Sequence, residues 1–232
     1  MKEFTPERYE PAQYKASPIA YEHWHRYMSV SALVKDKVVL DIACGNGYGT
    51  NYLSSYAKKI IGIDIDSLAI NLCKEQYSND SIEFNIGSVS SIPLDNNAVD
   101  IVVSFETIEH VSVEMQKEFM QEVIRVLKPG GFLIVSTPNL DSHQYTDIDN
   151  DFHIKEFKHD EFIGFCKKHF NFVSVYGQSI VTGSILSQHD KNELDLYKVK
   201  YNKLGIPKEI KKKIENKFII AICSIDEPKD LK

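Results

Sequence analysis

"LDIACGNGYGT", residues 40–50, sets Gly45, Gly47 and Gly49 on alternate positions directly behind an apolar run. A strand that enters a glycine turn and leaves as a helix points backbone N–H groups and a positive dipole end at whatever sits above it. Glycine removes the side chain that would keep a ligand away from that backbone. Asp64 closes the next apolar run, "KIIGIDI" (59–65), about 20 residues further on, where a carboxylate can accept the two hydroxyls of a ribose. The dinucleotide fingerprint would need glycine at position 50, and Thr50 stands there. The loop is therefore a nucleoside-type binding turn of a different pattern.

Outward from this loop, short apolar runs alternate with amphipathic stretches. Strands are expected at 37–43, 59–65, 82–87, 99–105 and 132–138, with helices at 49–57, 67–77 and 113–127 and a turn at "PGG" (129–131). That order predicts an α/β fold, a doubly wound, mostly parallel sheet covered on both faces. Two further strands, 170–178 and 217–225, complete seven and are expected to close the edge as an antiparallel hairpin. Upstream, 19–34 has helical spacing of its apolar residues and follows an irregular arm marked by Pro6, Pro11 and Pro18. A single domain over 1–232 follows: arm and covering helix to 35, binding core 36–137, substrate-covering segments and sixth strand 138–216, last strand and tail 217–232. The long stretches 138–157 and 179–216 exceed plain connections and are candidates to cover a substrate.

Composition narrows the setting. Of 232 residues, 43% are hydrophobic and 26% charged, as in an ordinary globular protein. No apolar run approaches the ~20 residues of a membrane helix, and "MKEFTPERYEPAQYK" lacks a signal core, so a cytoplasmic protein without membrane insertion is expected. Cys44, Cys73, Cys166 and Cys223 form no CxxC pair and read as reduced thiols. A net charge of −6 argues against DNA and makes RNA a weak partner. The basic run "KEIKKKIENK" (208–217) reads as a solvated helix face. Oligomeric state stays open.

Four stretches in register, "LDIACGNGYG", "GIDID", "VDIVVSFETIEHV" and "LKPGGFLIVSTPN", resemble the class I S-adenosylmethionine-dependent methyltransferases over roughly residues 20–178. The resemblance implies a cofactor, S-adenosylmethionine, and its contacts. Gly45, Asn46 and Gly47 would lie against its methionine part, with Asp41 holding the loop and, through water, the cofactor's amino group. Asp64 would take the ribose hydroxyls and Ile65 the adenine face. Ser88 and Val89 would meet the adenine edge, where many relatives carry an aspartate at the first position. Phe105 would present its backbone near the sulfonium.

"VSFETIEHV" (103–111) brings Glu106, Glu109 and His110 to the end of an apolar strand. If a helical turn begins there, positions i, i+3 and i+4 share a face. Carboxylate and imidazole together suit a divalent cation. This E-x-x-E-H pattern, with His153 downstream in "DNDFHIKEF" (149–157), resembles the metal site of small-RNA 3′-terminal 2′-O-methyltransferases; E-x-x-E-H alone also resembles ubiquinone-pathway O-methyltransferases. The resemblance implies Mg²⁺ or Mn²⁺ on Glu106, Glu109, His110 and His153. Without a metal, His110 or His153 is the natural general base. His143 and His159 are expected to be solvent-exposed.

"EHWHRY" (22–27), with "NDFHIKEF" (150–157) and "YGQ" (176–178), resembles glycan-associated methyltransferases. It implies that the first helix covers the cofactor and that Arg26 pairs with its carboxylate. Tyr27 and Trp24 are either cofactor contacts or core. The leading expectation is methylation of a hydroxyl on a sugar, nucleotide-sugar or similar small polar glycan precursor. The alternatives are an RNA-end 2′-O-methyltransferase, a small-molecule N-methyltransferase, and a silent subunit that supports a partner.

Overall fold

In a computed structural model, residues 18–77, 79–142, 152–179, 199–201, 207–209 and 216–227 are described. The arm at 1–17, His143 and most of 179–216 lie outside them. Chain order is α1 (Pro18–Val30), β1 (Val38–Ile42), α2 (Tyr48–Ser54), β2 (Lys59–Asp64), α3 (Ser67–Gln76), β3 (Ile82–Ile86) and β4 (Val99–Phe105). A 3₁₀ turn (Ile108–His110), α4 (Val113–Val126), β5 (Leu127–Pro138), α5 (His159–His169) and β6 (Phe172–Gln178) follow. The chain ends in β7 (Val199–Tyr201), β8 (Pro207–Glu209) and β9 (Phe218–Ser224).

The expected sheet is present. Seven strands run in the order β3-β2-β1-β4-β5-β9-β6, while β7 and β8 pair as a separate ribbon. The pairs β3–β2, β2–β1, β1–β4 and β4–β5 are parallel, and β9 is antiparallel to both β5 and β6. The expected antiparallel edge pair is β6 with β9. β9 inserts between β5 and β6, and β6 forms the edge. Their burial shows this: β9 is buried along most of its length, whereas β6 alternates between exposed and half-buried residues.

Two hydrophobic layers sandwich the sheet. On one face Tyr27 and Val30 of α1 and Leu53 of α2 pack on Val39, Ile60, Ile101 and Val103. On the other, Phe119, Met120 and Val123 of α4 and Phe162 and Cys166 of α5 pack on Leu40, Ile61, Val102 and Leu133. Adjacent residues of a strand thus feed opposite layers, so β1 and β4 read as continuous apolar runs. The four cysteines are buried thiols. No helix among the described residues is long and apolar enough to cross a membrane.

Two expectations are corrected here. "PGG" bends the chain inside β5 rather than ahead of it: Leu127, the C-cap of α4, is already extended, and between the pairs Val99–Leu127 and Ile101–Phe132 three extra residues loop out, with Gly130 at φ 78. The basic run 208–217 is not one solvated helix face either. Lys208 and Glu209 belong to β8, 210–215 lie outside the described residues, and Lys217 turns into the cavity described below.

The strand order reverses between β1 and β4, so the loops after these strands part and leave a crevice at the carboxyl end of the sheet. Because β9 runs antiparallel, its first residue, Phe218, reaches the same rim opposite Pro138 and Gln178.

Candidate active site

A cavity of about 980 Å³ occupies that crevice. One wall is the loop after β1 and the end of β2; another is the turn after β4; α1 lies over one side, and Lys217 and Phe218 close another.

The first wall is built from backbone. Gly47 is the N-cap of α2 with φ 69, a left-handed conformation that favours glycine. A Cβ there would also lie 2.7 Å from Cys73 Sγ. Gly49 serves packing instead, since a Cβ would come within 2.0 Å of the Tyr27 ring and push α1 away. Asp64 fastens the loop: its Oδ2 accepts from Gly45 N–H at 2.8 Å and its Oδ1 from Asp66 N–H at 2.9 Å. A carboxylate has about four acceptor sites, so Asp64, which lines the cavity, can also take ligand hydroxyls. Gly45, Asn46, Ile65, Ser88, Val89 and Phe105 line the cavity as well. Ser88 Oγ is engaged locally, accepting from Ser90 N–H at 3.3 Å and contacting Ser90 Oγ at 3.1 Å.

Asp41 holds the loop from below. It is 1% exposed, beneath the loop rather than on the cavity wall. Its carboxylate accepts from Thr50 Oγ at 2.6 Å and from Tyr27 OH at 3.3 Å. Burial pushes its pKa up to about 7, against these two hydrogen bonds and with help from the nearby Asp64 charge. Asp41 thus ties α1 and α2 to β1. Tyr27 is both core and cavity wall, its ring edge-on to Phe105 at 5.0 Å. Trp24 packs on Tyr48 and Tyr52.

The second wall is built from side chains. Glu106 adopts φ 53, and the 3₁₀ turn starts only at Ile108. The i, i+3, i+4 face expected for Glu106, Glu109 and His110 therefore never forms. Glu106 lines the cavity apart from the other two, accepting from Ser136 Oγ at 2.5 Å and lying 3.9 Å from Arg26 Nη1. Among the described residues, Glu109, His110 and His153 do converge, their ligand atoms within 4.8 Å of one another. Glu109 is wholly buried; Thr137 Oγ donates to its Oε2 at 3.1 Å, while Oε1 has no hydrogen-bond partner. Burial, then the Glu106 charge, raises the Glu109 pKa well above the carboxylate range. His110 Nδ1 lies 3.2 Å from the Phe152 carbonyl, and His153 Nδ1 meets the Glu156 carboxylate. When each Nδ1 carries the proton, each lone pair sits on Nε2, as in the carboxylate–histidine arrangements around metals. One buried carboxylate oxygen lacking a donor and two imidazoles so oriented form a donor set that fits a divalent cation. His159 is exposed beside Asp160 and takes no part.

Arg26 lies where the walls meet α1. It is 1% exposed, with its guanidinium over the Phe218 ring at 4.7 Å. Nη1 donates to Gln178 Oε1 at 2.8 Å, but Nε and Nη2 have no hydrogen-bond partner among the described residues. A buried unpaired donor is expensive, and Nε and Nη2 form the guanidinium edge whose N–H bonds run parallel, matching a carboxylate. That unpaired edge, on a residue that lines the cavity, together with the Asp64 carboxylate and the glycine loop fits an amino-acid-bearing nucleoside. The sequence reading did not assign Gln178, Phe218, Glu22, Lys217, Ser136 or Glu156. Gln178 and Glu156 fall within "YGQ" and "NDFHIKEF", and nothing in their spacing marked a role. His23 also lines the cavity, 2.9 Å from Tyr48 OH, and burial with the Arg26 and Lys217 charges lowers its pKa to about 3.

Residues 40–135 match the family model described as a methyltransferase domain. A probable S-adenosylmethionine-dependent methyltransferase of Mycolicibacterium smegmatis is 34% identical over 122 residues, 50% of this chain and 46% of that protein. The phthiotriol/phenolphthiotriol dimycocerosates methyltransferase of Mycobacterium leprae is 33% identical over 99 residues, 42% of this chain and 36% of that protein. The chain thus spans about half or less of the length of these relatives. The crystal structure of the YcgJ protein of Bacillus subtilis superposes with a TM-score of 0.61 at 17% identity, over 88% of this chain and 100% of its own, a likeness of fold.

Proposed function

We propose that this chain, whose residues 40–135 match a methyltransferase domain, is an S-adenosylmethionine-dependent methyltransferase that methylates a hydroxyl oxygen of a small polar acceptor, a sugar or nucleotide-sugar. The observation that carries this reading is the meeting of two unlike walls in one cavity: a nucleoside-type wall, and a Glu109–His110–His153 cluster suited to a hydroxyl. S-adenosylmethionine supplies a methyl carbon on a cationic sulfur. Arg26 holds its carboxylate, Asp64 its ribose hydroxyls, Gly45–Asn46–Gly47 its methionine part, and Ile65, Ser88 and Val89 its adenine. Phe105 and Tyr27 keep the space between the walls apolar.

A hydroxyl is a weak nucleophile until its proton is drawn off. Glu109, His110 and His153 would hold Mg²⁺ or Mn²⁺, and a cation there lowers the pKa of a hydroxyl and orients it. Glu106, on the same wall but outside the cluster, is the carboxylate left to receive the proton. Adjacent hydroxyls suit such a cation, which favours sugars over amines. The same chemistry would serve an RNA 3′ end, but the net charge of −6 weighs against a polyanion.

The test is calorimetric titration of S-adenosylhomocysteine with and without Mn²⁺, metal analysis of the same sample, and mass detection of methylated product from sugars and nucleotide-sugars. Stoichiometric Mn²⁺ that is lost in His153→Ala, with product only from hydroxyl acceptors, is the expected result. Cofactor binding without metal, and turnover on amines instead, would overturn the hydroxyl assignment.

A further inference from the structure

Arg26 is rigidly aimed, and the residues that aim it lie far away in the chain. Gln178, the last residue of β6, is 5% exposed. Its Oε1 accepts from Arg26 Nη1 at 2.8 Å, and its Nε2 donates to the Glu22 carbonyl at 3.0 Å, one turn earlier on α1. One side-chain amide therefore grips α1 at two points. The Glu22 carboxylate is in turn held by Lys217 Nζ at 2.6 Å. Lys217 N–H donates to the Gln178 carbonyl at 2.9 Å, which fixes the end of β6 against the start of β9. Phe218, the next residue, supports the guanidinium from one face.

This frame has a directional consequence. A guanidinium has five N–H donors in a rigid plane. Gln178 takes the Nη1 end and Phe218 lies against the guanidinium, which leaves the Nε–Nη2 edge unpaired on a residue that lines the cavity. Glu106 lies 3.9 Å from Nη1, not on that edge.

We propose that Gln178 is a positioning residue for cofactor recognition: it aligns the Nε–Nη2 edge of Arg26 with the cofactor's carboxylate and sets the enzyme's preference for ligands that carry one. This rests on the cofactor reading above. Gln178 itself touches Arg26 and α1, not the ligand. Its effect should therefore appear only with ligands that engage Arg26 through a carboxylate.

The experiment measures the affinity of the full chain for S-adenosylhomocysteine and for 5′-methylthioadenosine, which shares the nucleoside and sulfur but has no carboxylate. Wild type should prefer S-adenosylhomocysteine. Gln178→Leu should weaken S-adenosylhomocysteine at least tenfold and leave methylthioadenosine within about twofold. Gln178→Asn, shorter by one methylene, should show the same selective loss if the leucine variant does not fold. Arg26→Leu should abolish the preference, and adding Gln178→Leu to it should change nothing further. Equal weakening of both ligands, or an unchanged preference in both Gln178 variants, overturns the proposal. A wild type that binds both ligands equally overturns the Arg26 assignment with it. A wild type that binds neither ligand defeats the cofactor reading itself, a result separate from any variant.

Discussion

The two walls of the cavity are made differently. The wall after β1 and β2 is backbone: glycines, a helix N-terminus and one strand-end aspartate, all within residues 41–66. The wall after β4 is side chains drawn from β4, its following turn and the segment before α5, with Ser136 and Thr137 of β5 behind them. A backbone wall is fixed by local conformation and tolerates few substitutions. A side-chain wall is fixed by convergence, so its members can be exchanged one at a time with graded effects.

The sharpest challenge to this contrast is Gly47→Ala. It sets a Cβ on a left-handed residue and against Cys73 Sγ. The combined strain and overpacking should destabilise the protein by about 2–5 kcal/mol, read as a shift of the urea midpoint, with cofactor affinity falling alongside. An alanine variant of wild-type stability would mean that the loop is not held by its backbone.

Asp41, beneath the backbone wall, gives a pH test. Its folded pKa is raised to about 7 from 3.8. The folded state thus holds a proton that the unfolded chain releases, and stability falls as pH rises from about 4 to about 7. Three units correspond to roughly 4 kcal/mol at most. Asp41→Asn keeps an acceptor for Thr50 and Tyr27 but cannot ionise. Its stability relative to wild type should therefore climb between about pH 4 and 7 and level off above about pH 8. Parallel stability curves for the two proteins would show that Asp41 does not titrate in the fold.

Asp64→Asn tests the one charged member of the backbone wall. An amide retains one acceptor for Gly45 N–H or Asp66 N–H but loses the charge that strengthens hydroxyl hydrogen bonds. S-adenosylhomocysteine affinity should fall by about 1.5–3 kcal/mol, or roughly 10- to 100-fold, with little change in Mn²⁺ binding at Glu109, His110 and His153. Loss of both ligands together would merge the two walls into one unit.

This contrast also explains what was legible in the sequence. The sheet, its order of elements and the glycine loop follow from short-range signals: apolar runs, glycine spacing and a strand-end aspartate. The second wall was half legible. Glu109, His110 and His153 come together as their types suggested, but Glu106 does not, because its left-handed backbone separates it from the following turn. No helical periodicity foretells such a residue. Gln178 and Phe218 were invisible for another reason: β9 inserts between β5 and β6, and only that insertion brings both to Arg26.

The smallest expected effect asks whether the backbone wall can gain a side-chain contact. Ser88 lines the cavity and, on the cofactor reading proposed above, meets the adenine edge, while its hydroxyl is engaged by Ser90. In Ser88→Asp the longer carboxylate can accept from Ser90 N–H with one oxygen and leave the other toward the cavity. One added hydrogen bond to a neutral amine contributes about 0.5–1.5 kcal/mol, so S-adenosylhomocysteine should bind a few-fold more tightly. S-inosylhomocysteine, which carries a carbonyl in place of that amine, should bind more weakly to the variant than to wild type. If both ligands change alike, the effect is one of loop stability, and position 88 belongs to the turn rather than to the adenine site.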